Sequence, residues 1–401
     1  MNSTPPHAVP RGDALSLARA LVAIDSRNPS LDSDGPGEAA AATFLAETLT
    51  AWGFKVDLLE SSPGRPNVIA RIGGGHGGRS LMLNGHLDTV GVAGMTHEPW
   101  SPGVRDGRLY GRGSTDMKAG IAAMCAAAAR AAAQPAGLGG EVIIAAVTDE
   151  EFASDGTRTL LEAGVTAHAA IVTEPTRLAI CPAHRGFAWA DVVVHGHAAH
   201  GSRYDIGVDA VMMTALLLAE LETFQRETLA SRTHPLVGHA SLHAGVIRGG
   251  SGISTYPERC EVSLERRTLP GELSPGASFA AEIEAACDRV RARESRFRAD
   301  VLPGISRAPN DVAADHPIVV ALAGASRQRG HAAPVEGLSC WTDAAMLTAA
   351  GIPAICYGPG DIALAHAAEE YVLTEEIAVA TDVLESLVID WCGPKGVAWG
   401  S

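Results

Sequence analysis

Three apolar runs in this chain each stop at side chains able to hold a cation: LMLNGHLD at 81–88, VIIAAVTDEE at 142–151 and AAIVTEP at 169–175. Runs so nearly continuous in hydrophobic residues belong to strands covered on both faces, the pattern of a mostly parallel sheet flanked by helices. In such sheets the loops leaving the carboxyl ends of the strands build the binding crevice. The spacing therefore predicts one rim carrying His86, Asp88, Glu150, Glu151 and Glu174.

The remaining periodicity fits an α/β architecture. It predicts helices near 13–24, 38–51 and 117–133, and strands near 66–72, 79–85, 141–147 and 169–174. After CPAHRG (181–186) the pattern changes to a strand over 187–195, a helix over 205–229, strands near 240–248 and 258–267, and a helix over 277–293, which reads as a compact α+β unit. From about Asp311 helices and buried strands return, and AICYGPG (354–360) leads into His366. At 401 residues the chain exceeds what one core usually organises. Because His366 must rejoin the early acidic motifs, the middle unit reads as an insertion, giving a first segment 1–182, an insert 183–298 and a closing segment 299–401. The run GGGHGG (73–78) precedes a strand and not a helix, so it fails as a dinucleotide fingerprint and reads as a glycine-rich hairpin turn.

Composition excludes several function classes. Asp and Glu number 46 against 31 Lys and Arg, a formal charge of -15, which disfavours nucleic acid as a partner. The seven cysteines are odd in number and never spaced as CxxC, against both a disulfide framework and a thiolate zinc site. A reducing compartment fits them, and the polar opening together with Arg130 inside the alanine-rich run at 119–133 leaves neither signal peptide nor membrane span, so cytoplasm is the expectation.

Imidazole nitrogen and carboxylate oxygen are the donors zinc prefers when a coordination position stays open for water. His86, Asp116 in GRGSTDMK (111–118), the Glu150–Glu151 pair, Glu174 and His366 in AHAAEE supply them, with one carboxylate left to move protons. Each has an ordinary reading as well. Asp88 can hydrogen-bond the second nitrogen of His86, or the two can form a plain loop network. Asp116 reads equally as a helix N-cap before MKAG. Adjacent glutamates at a strand end face different ways, so one can ligate while the other stays free, and Asp149 competes for either role.

In this order, from about Leu15 to about Ile389, the motifs resemble the dizinc metallohydrolases that include acetylornithine deacetylase, succinyl-diaminopimelate desuccinylase, aminoacylases and glutamate carboxypeptidases. The resemblance implies two Zn2+ ions, with Co2+ or Mn2+ as substitutes, one held by His86, Asp116 and Glu174 and the other by Asp116, Glu151 and His366. It makes Asp116 the bridging ligand, followed by a cis peptide to Met117, and Glu150 the general base. It also implies that the insert serves as lid and dimer contact. In HGHAAHGSR (195–203), His195 and His197 read as solvent-facing strand residues, whereas His200 matches the histidine that reaches the partner subunit's site and donates to the developing oxyanion.

Within LERRTLPGE, Arg267 matches the arginine that grips a substrate carboxylate, leaving Arg266 for the opposite, exposed face. Ser254 stands where many relatives carry asparagine, and Asp343, in a segment read with YGPG (357–360) as a loop over the pocket, is a candidate for the substrate's amino group. The implied activity is hydrolysis of the amide of a small N-acyl amino acid bearing a free carboxylate. The alternatives are a carboxypeptidase or dipeptidase with the same metals and, remotely, a binding protein that has lost turnover. The last is disfavoured because every matched position holds a competent residue.

Overall fold

In the computed structural model, which describes residues 9–74, 77–272 and 279–393, the apolar runs become the middle of one sheet. The chain divides into two units, the first made of residues up to Pro182, Val312–Glu336 and Thr342 onward, the second of Ala183–Asp311 and Gly337–Trp341. The first unit runs through α1 (Ala14–Val22), α2 (Ala39–Ala51), β1 (Lys55–Ser62), β2 (Arg65–Gly73), β3 (Leu81–His86), α3 (Ala119–Ala132), β4 (Glu141–Val147), α4 (Asp155–Glu162), β5 (Ala169–Val172) and β6 (Ile180–His184), within which the chain leaves it. The second holds β7 (Gly186–His195), α5 (Ala210–Glu227), β8 (Ser241–Gly249), β9 (Arg259–Thr268), α6 (Phe279–Arg291) and β10 (Arg298–Arg307). Back in the first come α7 (Pro317–Gln328), α8 (Ala344–Ala349), β11 (Ala354–Cys356) and α9 (Thr374–Cys392).

Sheet order in the first unit is β1-β2-β4-β3-β5-β11-β6. The strands β4, β3, β5 and β11 run parallel, and antiparallel pairs flank them. Register then does the positioning. His86 pairs with Val147 and Asn84 with Val172, so the residues just beyond β4 and β5 emerge level with His86 at one edge. Helix α3 is buried all round except at Arg130 and Ala132, because alanine lets the sheet, α1 and α9 all approach closely. Leu17 and Leu21 of α1 and Leu384 and Leu387 of α9 are fully buried in the same core, each contributing about 1.5–3 kcal/mol by area. Gly120 sets the depth of this packing, since a Cβ there would lie 2.1 Å from the carbonyl oxygen of Thr173. Among the described residues no helix is long and apolar enough to cross a membrane.

Three expectations need correction. β2 and β3 are not a hairpin: β4 lies between them, antiparallel to β2 and parallel to β3, so the glycines carry the chain past the end of β4. Gly75 and His76 of that run lie outside the described residues, as do 277 and 278 at the start of the expected 277–293 helix. The insert ends at Asp311 and not at 298, because β10 pairs with β7 at eight of its ten residues, across one bulge, and belongs to that sheet. Helix α3 starts at Ala119, after an irregular turn over Ser114–Lys118 that contains the cis peptide Asp116–Met117.

The second unit is a four-stranded antiparallel sheet, β8-β9-β7-β10, with α5 and α6 on one face. Strict alternation along β9 buries Cys260, Val262, Leu264 and Arg266 toward the helices and turns Glu265 and Arg267 to the other face. The arginine opposite Arg267 is thus not exposed: Arg266 is fully buried, bonded to Glu272 and, at 3.1 Å, to Glu282. Replacing Arg266 by Met is expected to lower stability by about 3 kcal/mol, the low end for a buried pair that loses one partner, because Arg232 still pairs with both glutamates at 2.9 and 3.3 Å. Urea unfolding monitored by circular dichroism measures it; a loss within error of zero contradicts the assignment of that network as structural.

Candidate metal centre

Six side chains of the first unit converge on the carboxyl edge of its sheet. His86 ends β3, with Nε2 3.0 Å from Oδ1 of Asp116 and 4.0 Å from Oε1 of Glu174. The other oxygen of Asp116, Oδ2, lies 3.4 Å from Nε2 of His366, which in turn is 3.0 Å from Oε2 of Glu151. One carboxylate therefore stands between two imidazoles with an oxygen for each. Ligand atoms of His86, Asp116 and Glu151 lie within 4.8 Å of one another, and so do those of His86, Glu150 and Glu174. His366 holds a left-handed backbone (φ 60°) and is half exposed, whereas His86, Asp116 and Glu174 are buried. The cluster is open to solvent on the His366 side.

Electrostatics of the cluster are those of an anionic site that its two imidazoles compensate only in part. Burial pushes Glu150 and Glu174 well above the usual carboxylate range, with neighbouring carboxylates adding to the effect, and raises Glu151 as well. Burial alone would lower His86, but Asp116, Glu150 and Asp88 outweigh it and hold the ring well above its ordinary value. His366 is pushed up to about 10 by Asp116 and Glu151. Asp116 is the exception: burial would raise it, yet hydrogen bonds from both imidazoles bring it well below the normal range. Among the described residues no Lys or Arg pairs with Glu150, Glu151 or Glu174. Imidazole and carboxylate donors packed this closely without a basic partner fit a pair of divalent cations, which would supply the missing positive charge.

The surrounding shell differs in part from expectation. Nδ1 of His86 is 2.9 Å from the backbone oxygen of Asp88 and 3.6 Å from its carboxylate, so the imidazole is oriented by a carbonyl. The Asp88 carboxylate instead accepts from the amides of Glu150 and Glu151 at 3.2 and 3.1 Å and from Asn28 at 2.8 Å, fixing the backbone that carries both glutamates. Asp149 does not contest their roles: it turns at φ 66° and accepts from Arg65 and Asn28. Asp116 is no helix cap, since Lys118 occupies that position and the Asp116 backbone is extended.

Asp343 is not on a loop over the cavity but buried, accepting from Thr157 at 2.5 Å, and burial lifts it to about 6 against the hydrogen bonds from Thr157 and Ser154. A side chain so enclosed is not available to a substrate ammonium. YGPG is buried as well, with the Tyr357 amide donating to Val172. Sequence reasoning missed Glu370, whose buried carboxylate bonds Arg112 and the loop before Asp116, and Lys118, buried and donating to the Ile24 carbonyl at 2.7 Å. Both sit in motifs already noticed, but only packing separates a buried acid or lysine from a solvated one.

His200, Ser254 and Arg267 belong to the second unit. There His200 and Ser254 lie on adjoining segments, joined by the His200–Thr255 bridge and by the Gly201 amide donating to the Ser254 carbonyl at 2.7 Å. Both are exposed, and His200 Nδ1 is 2.8 Å from the Ser202 hydroxyl. Arg267 pairs with Glu265 at 2.7 Å, its guanidinium 5.6 Å from the centre of the Phe187 ring. His195 meets Asp300 at 2.8 Å, a carboxylate partner brought by β10, and His197 is exposed.

Residues 82–390 match the model of peptidase family M20/M25/M40. An acetylornithine deacetylase of Myxococcus xanthus is 33% identical over 362 residues, covering 88% of this chain and 92% of that protein. An N-formyl-4-amino-5-aminomethyl-2-methylpyrimidine deformylase of Bacillus subtilis is 26% identical, covering 96% and 95%. The fold is shared with aminopeptidase PepT of Bacillus cereus, at a TM-score of 0.78 and 20% identity over 94% of this chain and 98% of that one.

Without metal, the raised His366, His86, Glu150 and Glu174 values mean that these four groups together bind more protons in the folded state than in the unfolded one, outweighing Lys118, which burial lowers to about 7. That stabilisation is fully present at low pH and is lost as pH rises through the folded values. In chelator, the melting temperature is expected to fall as pH goes from about 6.5 to about 10, and the increment on adding Zn2+ to grow over the same window, because metal displaces those protons. Differential scanning fluorimetry across pH checks it, and a flat metal-free profile contradicts it.

Proposed function

Because the chain belongs to peptidase family M20/M25/M40, whose members hydrolyse amide bonds with the help of metal ions, we propose that it is a dizinc deacylase of small N-acyl amino acids. The observation that carries this reading is the Asp116 carboxylate set between His86 and His366, with Glu150 and Glu174 on the His86 side and Glu151 on the other. His86, Asp116 and Glu174 would hold one ion and Asp116, Glu151 and His366 the second. When bound, the ions polarise the scissile carbonyl and make the attacking water more acidic.

Glu150 does the proton work. It lies in the cluster of His86 and Glu174, its backbone is anchored by Asp88, and burial gives it a high proton affinity. It takes the proton of the attacking water and passes it to the departing amine nitrogen, breaking the C–N bond. Arg267 exchanges Glu265 for the substrate's carboxylate and holds it in two parallel bonds. Deacylation is preferred to peptide cleavage because the relative that is 33% identical is an acetylornithine deacetylase. Peptidase action stays as the second reading, motivated by the fold shared with an aminopeptidase.

A panel of N-acetyl, N-formyl and N-succinyl amino acids and of dipeptides tests the substrate class; turnover of dipeptides alone would overturn the deacylase reading. Glu150→Gln is expected to lower kcat at least about 100-fold with two metals per chain retained, while Glu151→Ala loses metal. Unchanged turnover in Glu150→Gln removes it as the base.

The active form is a homodimer in which the partner subunit's His200 donates a hydrogen bond to the oxyanion. Mixing His200→Ala and Glu150→Gln subunits after dissociation should recover activity absent from either alone, since the mixed dimer has one intact site. No recovery, with mixed dimers confirmed by native mass spectrometry, counts against action across the interface.

A further inference from the structure

Glu370 is a fully buried carboxylate that the reaction does not use, four residues after His366. Its four hydrogen bonds all go to one short segment. Oε2 accepts from Arg112 Nη1 at 2.6 Å and from the Gly113 amide at 3.0 Å, while Oε1 accepts from the Thr115 amide at 2.9 Å and the Asp116 amide at 3.2 Å. The next residue repeats the direction of the tie, with Thr115 Oγ1 donating to the Tyr371 carbonyl at 2.5 Å. Beyond it, Tyr371–Leu373 pairs antiparallel with Arg108–Tyr110. Arg112, itself buried, also donates to the Gly91 carbonyl at 3.0 Å, so a neutral Arg–Glu pair joins three stretches of chain.

A clamp of this shape is more than a fold support. The segment it holds is irregular, with Asp116 and Met117 in non-helical backbone conformations, and ends in the amide of Asp116 itself. Asp116 must present one oxygen to each imidazole, and His366 is on the same strap as Glu370. We propose that Glu370 is a positioning residue for the metal pair: its carboxylate sets the Asp116 backbone relative to His366, so that one Asp116 oxygen faces His86 and the other faces His366, the residues that would hold the two ions. An amide in its place would oppose an NH2 group to backbone N–H donors and release the segment. Sites of this kind tolerate displacements of only about 0.5 Å, so the loss should fall on the ion held by Asp116, Glu151 and His366. That site is the more exposed of the two.

The inference rests on the dinuclear reading above, and the experiment separates the two. Equilibrium dialysis against buffered Co2+ on full-length wild type and Glu370→Gln reads metal stoichiometry and affinity, alongside kcat, KM and the melting temperature in chelator. The expected result is two ions in the wild type and an affinity for the second about 10- to 100-fold weaker in the variant. Its kcat at limiting metal should fall in parallel and recover at high Co2+, with KM nearly constant. A lower metal-free melting temperature with unchanged affinity for both ions would assign Glu370 to the fold alone and overturn the proposal. Should Glu370→Gln not fold, Glu370→Asp keeps the charge on Arg112 but is one methylene too short to reach every amide, and is judged on the same affinity. A wild type that binds fewer than two ions defeats the dinuclear reading itself.

Discussion

Carboxylates crowded at one edge of a sheet, with no lysine or arginine paired to Glu150, Glu151 or Glu174 among the described residues, are the constraint on which the rest of this structure depends. Asp116, Glu150, Glu151 and Glu174 sit in a mostly buried pocket where their charges repel and where water cannot screen them well. Two imidazoles relieve part of that repulsion, and Asp116 profits most because it bonds both. Bound divalent cations would relieve the remainder. The cluster is therefore costly as a bare structural feature and sensible as a metal centre, which is how buried charge is normally justified.

Parallel strands solve the geometric problem. In β3, β4 and β5 the chain direction is shared, so three loops distant in sequence leave from one edge, and the pairing of His86 with Val147 and Asn84 with Val172 sets them level. Precision then comes from acids that do not ligate. Asp88 holds the amides of Glu150 and Glu151, Glu370 holds those of Gly113, Thr115 and Asp116, and Glu38 with Asp149 engages Arg65 behind them. Each converts a flexible loop into a backbone with a fixed direction, the same service that backbone ladders render inside helices and strands.

Hydrophobic period and abrupt strand ends made the sheet, its ligand edge and the inserted unit legible, since burial on both faces leaves a near-continuous apolar run. The cluster of candidate ligands was legible because metal chemistry restricts the side-chain types that can build one. Other features were hidden by the lack of a local signal. The glycines after β2 look the same in a hairpin as in a link past β4. Asp343 resembles an accessible loop acid until α4 and α8 close over it. The strand Arg298–Arg307 alternates weakly, and only its pairing with β7 shows that the insert continues to Asp311.

The amino-acid sequence by itself determined which elements form, which edge gathers imidazoles and carboxylates, and what class of chemistry those groups serve, because propensity, period and donor type are local properties. Tertiary structure alone decided which oxygen meets which nitrogen: that Asp88 works through its carbonyl on His86 and its carboxylate on two amides, that Arg266 is buried, and that Glu370 clasps a segment more than two hundred residues away. Those outcomes depend on distances of a few tenths of an ångström between segments far apart in the chain, set only when the core packs.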